Sequence, residues 1–260
     1  MEPVIPPYVI ALVLGLCVGS FLNVCIYRIP EKKSILFPGS FCPACKKSIP
    51  FFLNIPILSY AVLGGRCRFC KTAIPIRYPF VELLTGCLAL LTVHCFGPTS
   101  QALVWFGFAS TLTTISFIDL DRQIIPDSIS IPGTIIFAAL GYLVLGIRIQ
   151  DVLMGVFVGS GILYSVALIY YLVKKEQGMG GGDIKLMAMV GAVLGVKGAL
   201  FTIFAGSLIG TVLGGLIMAF GKAVNIQQKI PFGPFLSLGA LVYLFWGNQI
   251  IRWYFNMIGG

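Results

Sequence analysis

The stretch "QGMGGGDIKLM" (Gln177–Met187) sets four glycines in five positions just before an aspartate, Asp183, between two long apolar segments. The whole chain has only nine acidic residues, so the position of each one is informative. Glycines without side chains let a backbone come close to a substrate or to another segment. A flexible hinge followed by a helix-capping aspartate is the alternative, and spacing alone favours neither interpretation.

The composition indicates a membrane protein. Hydrophobic residues make up 58% of the 260 residues, charged residues make up 10%, and the mean hydropathy is +0.97. A helix of about 20 apolar residues crosses the roughly 30 Å of hydrocarbon in a bilayer. We therefore predict an all-α polytopic membrane protein with about eight transmembrane helices, of which the sixth is short. The expected spans are residues 7–27, 78–96, 101–120, 128–147, 152–173, 184–196, 198–220 and 233–257.

Half of the basic residues lie in one segment, which predicts the orientation of the chain. Arg28–Arg77 holds nine of the eighteen lysines and arginines and a single acid, Glu31. Because basic residues accumulate in cytoplasmic loops, this segment is expected in the cytoplasm and the N-terminus outside. The net charge of +9 then reflects topology and lipid contact, and nucleic acid is not an expected partner. Threading eight spans puts three further basic connections on the cytoplasmic side, with Arg122, Lys174, Lys175, Lys222 and Lys229.

The predicted cytoplasmic loop contains two cysteine pairs. "CPAC" (Cys42–Cys45) and "CRFC" (Cys67–Cys70) are separated by 21 residues. Each pair presents two thiolates, and four sulfurs close a tetrahedron around Zn²⁺. Two disulfides or redox motifs are the alternative, but structural disulfides are rare in the cytoplasm. Cys42, Cys45, Cys67 and Cys70 are therefore predicted to bind structural zinc, with no coordination position left for catalysis.

The remaining polar residues exclude several catalytic classes. His94 is the single histidine, so a histidine-rich metal site, an HExxH protease and a Ser-His-Asp triad are excluded. The glycine run lacks the GxxxxGK[ST] order of a phosphate-binding loop. A carboxylate within hydrocarbon is a functional hypothesis by default. Glu82, in the second predicted span, has such a role or pairs with Arg77.

Three aspartates follow one another in "FIDLDRQIIPD" (Phe117–Asp127). Asp119 and Asp121 lie roughly 200° apart around a helix, so only one of them faces a given site. Asp127 follows a proline and is expected to cap the fourth span. Asp119 and Asp183 are both expected at the cytoplasmic membrane edge. Two nearby carboxylates can share one proton, as in aspartic peptidases, so these two are the candidate catalytic pair.

The two helix ends predict how this pair divides the charge. Asp119 is expected at the C-terminal end of a helix, where the helix dipole opposes a negative charge. Asp183 is expected just before the start of a helix, where free amide groups favour a negative charge. The sequence therefore predicts that Asp183 carries the charge and Asp119 the proton.

Six motifs together resemble the type IV prepilin peptidase family, bacterial membrane aspartic peptidases of the GxGD type. Gly180–Asp183 reads as GxGD, and the resemblance extends over nearly the whole chain. The other five motifs are "IDLDRQIIPD", the paired CxxC loop, "GSFLNVCIYRIP" (Gly19–Pro30), "RYPFVELLTG" (Arg77–Gly86) and "IPFGPFL" (Ile230–Leu236).

The resemblance implies a bifunctional enzyme of the bacterial inner membrane. It would remove the leader of type IV prepilins or type II secretion pseudopilins at the cytoplasmic face, with Asp119 and Asp183 as the catalytic pair. It would then methylate the new N-terminus with S-adenosylmethionine, although no motif indicates where this methyl donor binds. The implied domains are a first transmembrane helix (1–28), a cytoplasmic zinc-binding loop (29–77) and a transmembrane aspartic peptidase domain (78–260).

Two other functions fit parts of the sequence. A presenilin-like intramembrane protease shares the GxGD motif, but the large cysteine-containing loop and "IPFGPFL" argue against it. A non-enzymatic zinc-ribbon membrane scaffold or transporter is the other alternative. Neutralising either candidate aspartate would leave such a scaffold working and a peptidase inactive.

Overall fold

The computed structural model describes residues 6–176, 179–220 and 231–258. The predicted outward N-terminal segment before residue 6, Gln177, Gly178, Lys222, Lys229 and Ile230 lie outside this part of the chain. Within it the secondary structure is almost entirely α-helical, with a single 3₁₀ turn at Phe51–Leu53 and two isolated β-bridges. The helices are α1 Pro7–Arg28, α2 Leu58–Val62, α3 Arg77–Phe96, α4 Ser100–Arg122, α5 Asp127–Leu143, α6 Ile149–Lys174, α7 Gly181–Phe220 and α8 Gly233–Ile258.

Six of the described helices are long and apolar enough to cross a membrane, namely α1, α3, α4, α6, α7 and α8. The fourth predicted span corresponds to α5, a shorter apolar helix that runs from Asp127 to Leu143. The predicted all-α polytopic membrane fold is therefore confirmed. Both ends of α1 carry residues that favour a helix end. The helix begins at Pro7, whose fixed φ suits a first turn, and it carries Arg28 in its last turn.

The sixth and seventh predicted spans both lie within α7. No polar loop separates them. The helix is interrupted only at Gly195, whose φ of 66° and ψ of −172° are not helical. Glycine adopts such a conformation without the clash that a Cβ would cause. The two predicted spans are therefore two helical segments that meet directly at Gly195, without a loop between them.

The chain forms two compact units, one running to Thr114 and the other beginning at Ile115. In the first unit α1 packs along α3. In the second unit α7 packs against α5, α6 and α8. The first turns of α7 supply fully buried residues to this second core, among them Leu186, Met187, Met189 and Val190. The beginning of α7 is therefore held rigidly by packing.

Candidate functional site

Asp119 lies in the last turn of α4, where the local backbone fixes its position. Gln123 has a positive φ of 55°, and its N–H donates to the Asp119 carbonyl at 2.8 Å, which ends the helix. The Asp119 side chain is buried, with 5% of the residue exposed. Its Oδ2 accepts a hydrogen bond from the N–H of Gly233, the first residue of α8, at 2.9 Å. The amino end of α8 therefore points at this carboxylate.

Asp183 lies in the first turn of α7 and is partly buried. Its N–H donates to the carbonyl of Gly180 at 3.2 Å. The negative charge of Asp119 acts on the Asp183 carboxylate, so the two side chains are near enough to repel each other. The structure thus brings together two acids that are 64 positions apart in the sequence.

Ile125, in the connection between α4 and α5, packs against two glycines of the site. A Cβ at Gly182 would lie 2.7 Å from the Ile125 Cβ, and a Cβ at Gly233 would lie 3.2 Å from the Ile125 Cδ1. Real Cβ contacts are essentially never as short as 2.7 Å, so Gly182 excludes a side chain, whereas the 3.2 Å contact at Gly233 would require only a small shift of the Ile125 side chain. Gly182 of the opening stretch is therefore required by close packing against the segment that carries Asp119.

The two other aspartates of the "IDLDRQIIPD" motif lie outside this pair. Asp121 and Asp127 are both exposed. The expectation that Asp127 caps α5 is wrong, because Pro126 occupies the cap position and no side chain caps the helix. Asp127 instead accepts a hydrogen bond from Lys185 Nζ at 2.6 Å, an ion pair between the first turns of α5 and α7.

The four loop cysteines form one cluster. Their sulfur atoms all lie within 4.8 Å of one another, and those of Cys42 and Cys70 are 3.7 Å apart. Tetrahedral zinc with Zn–S bonds of about 2.3 Å requires sulfur atoms about 3.8 Å apart. The donor set and its spacing therefore fit a zinc-binding site, and Cys45 and Cys67 complete it.

The two cysteine pairs are held by the same backbone pattern. Cys42 N–H donates to the Lys47 carbonyl at 3.0 Å, and Cys67 N–H donates to the Thr72 carbonyl at 2.9 Å. Each pair is also closed by an antiparallel bridge between the residues that flank it. The loop thus contains two equivalent turns that present their sulfurs to one point.

Hydrogen bonds in the second turn favour thiolates, the form that binds metal. A hydrogen bond with the Thr72 side chain lowers the pKa of Cys70 to about 6. The backbone N–H groups of Cys70 and Phe69 lower the pKa of Cys67. These contacts favour the thiolate form in the second cysteine pair.

Glu82 is buried in α3, with 8% of the residue exposed. Its Oε2 accepts a hydrogen bond from the Ile57 N–H at 2.7 Å, and the Ser20 hydroxyl also bonds to this carboxylate. The described contacts of Glu82 are therefore with Ile57 and Ser20, not with Arg77 as the sequence allowed. Ser20 belongs to the "GSFLNVCIYRIP" motif, so this contact joins two of the six motifs.

A cavity of about 230 Å³ lies between α1, the start of α3 and the cysteine loop. Its walls include Glu82 and two buried polar residues of α1, Asn23 and Arg28. Neither Asn23 nor Arg28 was identified as a site residue from the sequence, although both lie within "GSFLNVCIYRIP". Their burial depends on the packing of α1 against α3, which the sequence of α1 alone does not specify.

The fold and these sites define a polytopic membrane protein with a pair of carboxylates and a separate four-cysteine cluster. Two family models match the chain: the Bacterial Peptidase A24 N-terminal domain at residues 13–96, and the Type IV leader peptidase family at residues 106–215. The chain belongs to the Type IV leader peptidase family. This is an enzyme family, and the resemblance inferred from the six motifs is confirmed.

Curated relatives named prepilin leader peptidase/N-methyltransferase align with nearly the whole chain. The relative from Aeromonas salmonicida is 35% identical over 94% of this chain and 92% of its own. The relative from Pseudomonas aeruginosa is 36% identical over 95% of this chain and 93% of its own. The relative from Stutzerimonas stutzeri is 37% identical over 94% of this chain and 92% of its own. No solved structure matches this chain.

Proposed function

We propose that this protein removes the leader peptide of type IV prepilins or type II secretion pseudopilins and then methylates the new N-terminus. The observation that supports the peptidase activity is that the charge of Asp119 acts on the Asp183 carboxylate, although the two residues are 64 positions apart in the sequence. The support for the substrate and for the second activity is the shared name of the relatives. The described residues offer no comparable reason to favour a scaffold or a presenilin-like protease.

The peptidase mechanism follows from a pair of acids that hold one proton between them. The ionised carboxylate takes a proton from water, whose oxygen bonds to the scissile carbonyl carbon, while the protonated carboxyl group donates to the carbonyl oxygen. The C–N bond then breaks, and the leaving amine takes up a proton from the pair. Asp119 and Asp183 have these two roles, and Gly233 N–H holds Asp119 in place.

S-adenosylmethionine, when bound, would supply the methyl group that the new N-terminal amine receives. Zinc on Cys42, Cys45, Cys67 and Cys70 is structural, because four thiolates leave no open position. The metal stabilises the loop that forms one wall of the cavity beside α1.

The proposed location is the bacterial inner membrane, with the aspartates and the cysteine loop facing the cytoplasm. The basic residues of Arg28–Arg77 support this orientation. The proposed organisation remains a first transmembrane helix (1–28), a zinc-binding loop (29–77) and a transmembrane peptidase domain (78–260). Prepilin or pseudopilin substrates and membrane lipid are the expected partners.

Co-expression with a panel of prepilins tests the peptidase activity. Asp119→Asn and Asp183→Asn should each abolish leader removal, because an amide can neither accept the proton of water nor return one. Asp121→Asn is the matched control, since this exposed carboxylate is only two positions from Asp119. The mass of the substrate reports both leader loss and N-methylation. Leader removal at the wild-type rate by either of the first two variants would end the aspartic-peptidase proposal.

A further inference from the structure

The cavity between α1, α3 and the cysteine loop has no role in the peptidase mechanism. It holds about 230 Å³ and lies entirely within the first unit of the chain. Ligand pockets typically have volumes of about 300–1,000 Å³. The cavity is therefore small for a whole nucleoside with its substituents, and its volume suits a smaller polar group.

Two opposite charges are buried in the walls of this cavity. Arg28 is 6% exposed, and its guanidinium donates to the carbonyls of Ser34 and Gly39 at 3.0 and 3.1 Å. Glu82 is 8% exposed and receives its hydrogen bonds from neutral groups. Within the described residues neither charge contacts an opposite one. Burial of a charge without an ionic partner is costly, so a cavity with both signs is suited to a ligand that also carries both.

A third wall residue has an unused acceptor. Asn23 is 3% exposed, and its amide nitrogen donates to the carbonyls of Gly19 and Tyr78 at 3.3 and 3.0 Å. Its Oδ1 atom is buried and has no hydrogen-bond partner among the described residues. Buried side-chain acceptors in native proteins nearly always have a partner. Asn23 therefore offers an acceptor for a donor group that the chain itself does not supply.

Aromatic rings complete the walls. Their π faces attract cations, most strongly where water is excluded. Four of the lining rings already have a basic side chain 5.2–5.8 Å from the ring centroid: Arg28 over Phe41, Lys33 over Tyr27, Lys47 over Phe69 and Arg77 over Tyr78. Among the described residues Tyr60 is the lining ring without such a partner, so Tyr60 and Glu82 would stabilise a positively charged sulfur or nitrogen. The aromatic residues that line the cavity are Tyr27, Phe41, Tyr60, Phe69 and Tyr78.

We propose that this cavity binds the methionyl end of S-adenosylmethionine, with its sulfonium, ammonium and carboxylate groups. Arg28 binds the carboxylate, Glu82 and the Tyr60 ring hold the sulfonium, and Asn23 Oδ1 accepts from the ammonium. The adenosine extends out of the cavity, in keeping with its small volume. This site rests on the proposed N-methyltransferase function and gives that function a location in the structure.

Binding of S-adenosylmethionine and two analogues to the full-length protein in detergent, without prepilin, tests the site. S-adenosylhomocysteine lacks the sulfonium charge, and decarboxylated S-adenosylmethionine lacks the carboxylate. We expect the wild type to bind each analogue about tenfold more weakly or worse, as for the loss of a charge-assisted contact. Glu82→Gln should bind S-adenosylmethionine and S-adenosylhomocysteine equally. Arg28→Met should bind the parent and decarboxylated ligands equally.

The ratios of the affinity for S-adenosylmethionine to the affinity for each analogue distinguish direct contact from a structural role. Misfolding would weaken the binding of all three ligands together and leave these ratios unchanged. Glu176→Gln and Arg148→Met are matched controls at exposed positions outside the cavity and should keep the wild-type ratios. Wild-type ratios in both Glu82→Gln and Arg28→Met would overturn the site and leave the proposed function standing. Lack of S-adenosylmethionine binding by the wild type would end both the site and the methyltransferase activity, while leader removal reports separately on the peptidase.

A second measurement covers the case in which the cavity variants do not fold. Ultraviolet cross-linking of radiolabelled S-adenosylmethionine to the wild type, followed by peptide mapping, locates the ligand directly. We expect adducts in peptides that contain residues 20–28 or 40–82, which form the cavity. Adducts confined to α5–α8 would overturn the proposal.

Discussion

At the scale of single residues, the contact between Asp119 and Gly233 changes the expected division of charge. The sequence placed Asp119 at the C-terminal end of a helix and therefore predicted that it holds the proton. The structure adds the amino end of α8, whose first N–H donates to Asp119 Oδ2. An N–H group at a helix amino end favours a negative charge. We now expect Asp119 to be the ionised member and Asp183 the protonated one.

Replacement of Gly233 tests this contact. In Gly233→Ala the new Cβ would lie 2.7 Å from Asp119 Oδ2, so the carboxylate and the N–H must move apart. Hydrogen bonds to charged groups contribute about 1.5–3 kcal/mol, so leader removal should slow about tenfold or more. Steady-state cleavage of a purified prepilin is the measurement.

Gly215→Ala is the control for this substitution, since a Cβ there meets no atom within 4 Å. It should cleave at the wild-type rate. Equal rates for wild type, Gly233→Ala and Gly215→Ala would show that the Gly233 contact does not support catalysis.

At the scale of helices, the kink in α7 depends on one residue. Gly195 combines a φ of 66° with a ψ of −172°, a region that residues with a Cβ adopt only under strain. A Cβ added there meets no neighbour within 4 Å. Any cost of a side chain at this position is therefore conformational and not a clash.

Gly195→Ala should lower the free energy of unfolding by about 1–3 kcal/mol. Gly161→Ala in α6 is the matched control, because its Cβ also meets nothing but its backbone is helical. That control should be neutral or slightly stabilising, since alanine favours a helix over glycine. Equilibrium unfolding in detergent compares the two variants, and an equal effect of both would contradict the role assigned to the kink.

The cysteine loop is proposed to depend on a bound zinc ion for its structure. Purified protein should contain about one zinc per chain, and a double substitution, Cys42→Ser with Cys70→Ser, should remove it. Cys87→Ser with Cys95→Ser is the control, since these exposed cysteines lie outside the cluster. Elemental analysis is the measurement. Full zinc content after loss of Cys42 and Cys70 would disprove the site.

At the scale of the whole molecule, hydropathy and spacing predicted most of the architecture. The apolar runs marked the long helices because crossing a bilayer needs a fixed length, and the CxxC spacing predicted the cysteine cluster because a local turn brings each pair together. Two sets of contacts between distant segments were not predicted. The approach of Gly233 to Asp119 and the burial of Asn23 and Arg28 beside Glu82 depend on how helices pack, which periodicity along one helix does not specify.

The number of membrane crossings depends on the break in α7. As one straight helix, Gly181–Leu216 would be about 54 Å long, well beyond the roughly 30 Å of hydrocarbon. The eight-span prediction resolves this by letting the chain cross once before Gly195 and once after it. Lys197, two residues past the break, should then lie on the membrane face opposite Ser34 in the cysteine loop.

Cysteine labelling with a membrane-impermeant reagent tests this arrangement. Ser34→Cys should be labelled in inverted vesicles, whose outer surface is the cytoplasmic face. Lys197→Cys should be labelled in right-side-out vesicles. Peptide-resolved mass spectrometry separates each new thiol from the eight native cysteines, and the unsubstituted protein gives their background. Labelling of both positions from one side would mean that α7 does not cross twice. The orientation derived from the basic loop would then have to be assigned with one crossing fewer.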